Sequence, residues 1–520
     1  MRGRASVSCP GALGSALSDR ARVVGISLAV KLCSLPGEAE LCLRVARCWA
    51  LLKPIQLIRA GVAVSGCSLM PIMPMILRYR WIVEARLSEA EWRSGIAEIA
   101  DRRRALSADV MPQDRFELGL ALLWRAMQNC PPPVRNAFDG LQEGRISALS
   151  RPRAEALGRS EAAAWAPDVS INIDRLVLEV TAEIRALDKA LDEVRVSTVR
   201  GGDPNIDFLA FGDETVFVLP WLHGDRLERR AGQSFDRRAL IHNRVLPVEA
   251  DGLPVRLYTP AVRGPGAGGG AADAVSAVFR NVELQVGRSE DGGNFWIEGM
   301  NNADDVQADL EVQLGELLTG QAAMAVMWPE LTIPPPLLKC LRSALAVHGL
   351  ADTPVDLGFV VAGSWHEDRP GGRINAAQVL STSGRTLFEV LKRERYELEP
   401  GVLEAITPGG EIPVLVYGDV LIAFGICKDF CERRRPTPYR ELDVDYVMTP
   451  SLGNAVTMEE HEIAAGSLRV GYGTRGFVVQ QMLGAPWGMV LGPASQPRGR
   501  ARGTAQNKLL ARTTISCTIA

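Results

Sequence analysis

The sequence predicts an α/β domain in the C-terminal half of the chain, preceded by an α-rich module. Three observations carry that prediction. Apolar residues recur at helical spacing between about 83 and 200, a glycine-rich run interrupts the chain at 264–270, and short apolar runs then alternate with amphipathic stretches to about 480. Alternation of that kind belongs to α/β domains, whose functional groups sit at strand ends.

The first eighty residues are rich in Cys, Ser and Arg and lack clean periodicity, so 1–82 is read as an atypical segment rather than a domain. Within it, 60–77 carries no charge and barely reaches the length of a bilayer span. Pro71, Pro74, Gly61 and Gly66 break it up, and no membrane span is predicted. The start carries no compact apolar run ending in a small-residue cleavage site, so no signal peptide is read.

The helical module is placed at 83–205. Ser88 and Glu91 form a capping-box pattern, 116–127 has apolar residues at helical spacing, and Pro131, Pro132 and Pro133 stop that helix. A further helix is predicted at 173–194, with Leu176, Val180, Ile184, Leu187 and Leu191 on one face and charges opposite. Between 206 and 263 the period shifts towards strands. The segment 264–274 reads as a linker, because consecutive glycines leave the backbone unrestrained. It formally matches GxGxxG, but Pro265 and the glycine run suit a hinge better than a phosphate-cradling turn. The main domain is placed at 275–495, with a short strand at 282–286, a helix through 304–319 and a buried strand at 322–327; a basic tail follows at 496–520.

Composition narrows the function. Of 520 residues, 47% are hydrophobic and 23% charged, enough apolar surface for a large core. A net charge of −3 gives no basic field for a phosphate backbone, so nucleic acid is not an expected partner. The ten cysteines form no CxxC pair or regular framework, which predicts reduced thiols and a cytoplasmic location. Cys427 and Cys431 make a single CxxxC with no nearby histidine, a poor zinc pattern, and no metal is expected. His461, in Met458-Glu459-Glu460-His461-Glu462, is expected on the solvated face of a helix.

Three polar residues each end an apolar run: Glu330 in Trp328-Pro329-Glu330-Leu331, Lys392 after strand, loop, strand and a tight turn at Ser383-Gly384, and Cys427 in Gly425-Ile426-Cys427-Lys428-Asp429. Singly, each suits a cap, a solvated lysine or core filler. Together with Gly363-Ser364, Asn375-Ala376-Ala377 and Gly384, eight positions before the lysine, their order resembles the nitrilase-like (carbon-nitrogen hydrolase) superfamily. The stretch 445–470 is similar to that family's next strand, ending in Pro450-Ser451, and the helix after it. The resemblance covers roughly 280–480.

The resemblance implies an αββα four-layer sandwich and hydrolysis of a non-peptide carbon-nitrogen bond, amide before nitrile, in a small molecule. It assigns Cys427 as nucleophile, Glu330 as general base and Lys392 with the backbone N–H of Lys428 as oxyanion donors, and needs no cofactor. A second glutamate is expected between lysine and cysteine, Glu404 first, with Glu397 and Glu399 as competitors. Pairing of sandwich faces in relatives implies a homo-oligomer. The sequence departs from the pattern at Lys428, where an aromatic residue is usual, and at Cys431, where proline often stands. The family domain continues with further strands after the helix that follows Pro450-Ser451, whereas here the chain soon becomes the basic, breaker-rich tail from Gln496, so the domain reads as abbreviated or its end as diverged. That leaves open a decayed hydrolase fold serving as a binding or regulatory protein, and a membrane-attached acyltransferase using the same triad.

Overall fold

The computed structural model describes residues 87–515 apart from 106–111, 159–164, 200–215, 221–239, 261–271, 351–355, 433–437, 484–487, 493–499, 503–510 and positions 129, 419, 441, 443 and 473. The apolar stretch 60–77, the glycine run 264–270 and much of the basic tail lie outside the described residues. No helix among the described residues is long and apolar enough to cross a membrane.

Among the described residues five helices come first: Glu89–Ala105, Pro112–Gln128, Pro132–Asp139, Glu143–Gly158 and Ile173–Val199. The capping box forms as the sequence indicates: Ser88 N–H donates to Glu91 Oε2 at 2.8 Å and Glu91 N–H to Ser88 Oγ at 3.3 Å. The first proline-marked helix ends at Gln128, and Pro132 opens the next, where its missing N–H costs nothing. The helix Ile173–Val199 departs from the expected amphipathic form. Leu176, Val180, Ile184, Leu187 and Leu191 are buried, but so are Glu183, Arg185 and Asp188. Pairing makes that possible, with Arg103 at 2.8 Å from Glu183 and Arg185 at 2.5 Å from Glu143.

Asp188 does more than fill space. Its carboxylate accepts the backbone N–H groups of Ile241, His242 and Asn243 at 2.6, 2.9 and 2.8 Å, and the Asn243 side chain at 2.9 Å. The helix therefore holds the start of the strand Asn243–Pro247. Asp188→Ala strands these buried donors, each worth about 1–3 kcal/mol. We expect a loss of about 3 kcal/mol, read as a lower urea midpoint at unchanged slope; a change under about 1 kcal/mol would show that water replaces the carboxylate.

Two large sheets follow. The six-stranded sheet runs in the order 386–391, 372–381, 357–369, 323–328, 272–276, 511–515, and the eight-stranded one in the order 500–502, 488–491, 475–482, 446–453, 420–424, 412–417, 253–258, 249–250. Four strands matter most for function: the glutamate strand Ala323–Trp328, the lysine strand Thr386–Leu391, the cysteine strand Val420–Phe424 and the serine strand Tyr446–Gly453. All residues of the glutamate and cysteine strands are buried, as continuous apolar runs require when a sheet is covered on both faces.

Met324, Phe359, Val361 and Val379 of the first sheet pack with Tyr417, Ile422, Phe424 and Met448 of the second. The other face of the first sheet, through Val326, Trp328 and Val360, packs on the helices Ala303–Thr319 and Pro335–His348. The other face of the second, through Leu421, Val447 and Val478, packs on Met458 and Leu468 of the helix Ala455–Tyr472. The fold is thus mixed α/β with two packed sheets.

The expected segment boundaries do not separate these sheets. The strand Leu253–Tyr258, which precedes the glycine run, pairs parallel with Ile412–Tyr417, Val255 opposite Ile412. At the other end Ala511–Ile515, within the basic tail, pairs with Ala272–Ser276. Arg244 reinforces the first junction, gripping both oxygens of Asp445 at 2.6 and 2.8 Å just before the serine strand. Such partners are set by pairing across long stretches of chain, which breaker residues cannot reveal.

Candidate active site

Each motif residue follows the end of a strand, and at two of the three the backbone bends sharply. Among the described residues, three non-glycine positions have positive φ, and two of them, Leu331 at 56° and Cys427 at 48°, adjoin or carry the candidate chemistry. Leu331 turns the chain after the glutamate strand and donates its N–H to Ser364 Oγ at 3.3 Å. Gly363, at φ 61°, lies against that turn, where a Cβ would strike the Pro329 carbonyl. The Gly363-Ser364 pair thus serves the glutamate turn directly.

Glu330, Lys392 and Glu404 form one buried cluster. Lys392 Nζ donates to Glu330 Oε1 at 2.7 Å and to Glu404 Oε2 at 2.6 Å. Asn375 Nδ2 lies 3.0 Å from Glu330 Oε1 and 3.0 Å from Glu404 Oε1. Glu404 Oε2 also accepts the Tyr396 N–H at 3.0 Å. Behind it, His366 Nδ1 accepts the Ile297 N–H at 2.8 Å, so the ring's proton sits on Nε2 and is donated to Glu404 Oε1 at 2.9 Å. The competing glutamates lie elsewhere: Glu399 pairs with Arg288 at 2.6 Å in an exposed contact, and Glu397 accepts the Gly401 N–H.

Cys427 stands on the turn after the cysteine strand, 1% exposed, its N–H held by the Pro450 carbonyl at 2.9 Å. Its sulfur lies 3.7 Å from the Leu452 carbonyl, and the Glu330 carboxylate and the Ser451 hydroxyl both act on its proton affinity. Glu330 Oε2 accepts the Leu452 N–H at 3.0 Å, which aims that carboxylate at the sulfur. The Gly-x-Cys-x-Asp pattern has a physical account. A Cβ on Gly425 would strike the Tyr439 hydroxyl. Asp429 accepts the Ile426 N–H at 3.0 Å and the Arg393 and Glu394 N–H groups at 2.9 and 2.7 Å, pinning the lysine loop to the cysteine turn.

Electrostatics divide the two carboxylates. Burial raises the proton affinity of Glu404, but Lys392 and the His366 hydrogen bond outweigh it and hold the group down at about 2. For Glu330 burial wins, helped by the charge of Glu404 and opposed by Lys392, so its carboxyl lies above the ordinary range. Burial opposes the Lys392 charge, yet the two glutamates overcome it and keep the ammonium protonated. Burial and the neighbouring Glu330 push the Cys427 thiol well up. A fixed carboxylate, a fixed ammonium, a protonatable carboxylate and a neutral thiol therefore meet at one point, a pairing that separates acid and base roles.

Other expectations fare differently. Lys428 opens the short helix Lys428–Cys431, and its ammonium lies 3.5 Å from Glu432. Among the described residues no group of metal-ligating side chains forms a site, and Cys431 is buried with its thiol pushed up to about 12. His461 corrects the sequence reading. It is wholly buried rather than solvated, with Nε2 3.0 Å from Ser451 Oγ and its ring stacked on Phe430. Met458, His461 and Leu468 share a helical stripe, which was the signal for its inward face. His366 also escaped notice, since it reads as an ordinary strand residue, and Ser451 was noted only as the end of a strand.

No family model and no curated protein matches the chain. Among solved structures it is similar to an amidase of Nesterenkonia AN1 from the nitrilase superfamily, at 16% identity and TM-score 0.31 over 48% of this chain and 92% of that one. It is also similar to a CN-hydrolase superfamily protein of Xanthomonas campestris with an arsenic adduct in its active site, at 15% identity and TM-score 0.32 over 47% and 91% of the two chains. A third is the C. elegans NitFhit protein, at 16% identity and TM-score 0.34 over 48% and 62%.

Proposed function

We propose that the chain is a carbon-nitrogen hydrolase that cleaves small-molecule amides through a thioester on Cys427, within an αββα sandwich formed by the two sheets and their covering helices. One observation carries the reading: Glu330, whose Oε2 accepts the N–H of Leu452, the residue whose carbonyl lies 3.7 Å from the Cys427 sulfur, shares Lys392 with a second buried glutamate. A merely structural cluster has no need of a thiol on a strained turn beside the protonatable carboxylate.

The chemistry follows from these positions. As the sulfur attacks the amide carbon, its proton passes to Glu330 and the carbonyl π electrons move to oxygen. Lys392 Nζ and the Lys428 N–H, adjacent to the nucleophile in sequence, receive that oxyanion. Collapse breaks the C–N bond, and the nitrogen leaves with the proton from Glu330. Water then gives a proton to Glu330 and adds to the thioester; the second collapse breaks the C–S bond, releases the acid, and returns the proton from Glu330 to the departing sulfur. Glu404, fixed as an anion, keeps Lys392 charged throughout.

The test is Glu330→Gln in two assays. Ammonia release from a panel of short aliphatic amides should fall at least about 10²-fold, the scale of general-base loss, and iodoacetamide labelling of Cys427 at pH 7 should slow. If no amide releases ammonia and Cys427 labels no faster than Cys130 or Cys340, the enzyme reading fails and a regulatory role for the fold takes its place.

A further inference from the structure

The proposed mechanism leaves a buried polar chain next to Cys427 unused: Ser451, His461 and Gln480. Ser451 stands between Pro450, whose carbonyl holds the Cys427 N–H at 2.9 Å, and Leu452, whose carbonyl lies 3.7 Å from the Cys427 sulfur, and its hydroxyl opposes the rise in the thiol's proton affinity. Ser451 Oγ lies 3.0 Å from His461 Nε2 and 3.3 Å from Gln480 Oε1. The Gln480 amide is oriented by its own donor, Nε2 to the Asn454 carbonyl at 2.8 Å, so Oε1 can only accept. All three side chains are wholly buried, and His461 Nδ1 has no hydrogen-bond partner.

These facts choose a tautomer. A proton on Nδ1 would be a buried donor with no acceptor, while a proton on Nε2 is donated to Ser451 and leaves only a lone pair unmatched. With its oxygen so occupied, the serine hydroxyl has one proton and two acceptors in reach, Gln480 Oε1 and the sulfur. Against a neutral thiol the carbonyl is the better acceptor. Against a thiolate, formed during attack and again when the thioester breaks, the sulfur is.

We propose that Ser451 is a catalytic hydrogen-bond donor to the Cys427 thiolate and that His461 is the positioning residue that supplies the serine oxygen with its incoming proton. The proposal rests on the thioester reading above. Burial holds the His461 ring at about 3, neutral across the working range, so it acts as a fixed donor and not as a base. The titratable groups whose charges act on the sulfur are Glu330, Lys392, Cys431 and the Tyr396 phenol.

The experiment measures iodoacetamide alkylation of Cys427 by peptide mass, in the full chain, from pH 5.5 to 9.5. Ser451→Ala and His461→Leu should each slow the reaction at pH 7 about tenfold, as loss of a hydrogen bond to a charged group does, and move the profile to higher pH. His461→Gln, which keeps a donor at the Nε2 position, should recover most of the rate, and the Ser451→Ala/His461→Leu double variant should be no slower than either single. Unchanged profiles in the singles, no recovery by glutamine, or multiplying effects in the double variant overturn the relay. Glu330→Gln separates the two readings. If it slows alkylation while the relay variants do not, the relay alone is lost; if it does not, and Cys427 shows no preferential labelling, both are lost. Should the substitutions unfold the chain, imidazole nitrogen NMR of the wild type decides: an Nε2–H ring that does not titrate between pH 5 and 8 supports the relay, and an Nδ1–H ring overturns it.

Discussion

On the proposed function, replacing Cys427 by Ala should lower ammonia release from amides by at least about 10⁴-fold, because among the described residues no other thiol is placed beside Glu330 and the covalent route is lost with it. The substitution removes a side chain 1% exposed, and the small cavity should cost about 1 kcal/mol. Cys427→Gly gives a sharper structural test. At φ 48° and ψ −106° the backbone occupies a region that L side chains avoid. Glycine should therefore be more stable than alanine there by about 1 kcal/mol, after its own entropy cost. Inactive variants ordered in this way would mean that the turn holds strain to present the sulfur. Residual activity within tenfold of wild type would place the nucleophile elsewhere.

What the sequence conveyed was set by local pattern. Glu330, Lys392 and Cys427 were singled out because each terminates an apolar run and their joint order, with the flanking motifs, resembles one family; alone, none of the three was distinctive. The helix Ala303–Thr319 and the strand Ala323–Trp328 stand within two residues of their expected places, because periodicity and flanking breakers are local properties. What it withheld depends on register. His366 and Asn375 are directly opposite on paired antiparallel strands, so both side chains reach Glu404, and neither strand alone announces that partnership. The buried charges of the helix Ile173–Val199 were read as a solvent face for the same reason. Spacing shows which residues share a side, and only the tertiary partners Arg103, Glu143 and the 241–243 backbone make that side an interior. Glu404 falls between: its neighbourhood was legible, but choosing it over Glu397 and Glu399 required the strand Val402–Glu404 to pair beside Asn294–Met300.

Lys392→Met will test the cluster as a unit, since methionine keeps the volume and removes the charge. The ammonium is 2% exposed and the glutamates 2% and 1%, so the variant leaves two buried carboxylates facing each other without a cation. Breaking a buried pair from one side costs about 3–5 kcal/mol, and catalysis should fall a further 10²–10³-fold or so as the oxyanion loses its donor. The pH dependence carries the sign that identifies the cause. In the wild type Glu404 is held at about 2, below its unfolded value, so its share of stability is fully present above the unfolded value and is lost as pH falls towards 2. Glu330 is raised, so its share is present below the unfolded value and is lost as pH rises through the folded one. Without Lys392 both carboxyls are raised and both bind protons more readily folded than unfolded. The variant should then be most stable near pH 5 and weaken towards pH 8 with up to twice the proton slope of the wild type. Urea unfolding at pH 5, 6.5 and 8 reads this directly. A deficit under about 1 kcal/mol with no change in slope would mean that Lys392 does not hold the two glutamates together, and the division of acid and base between them would fail with it.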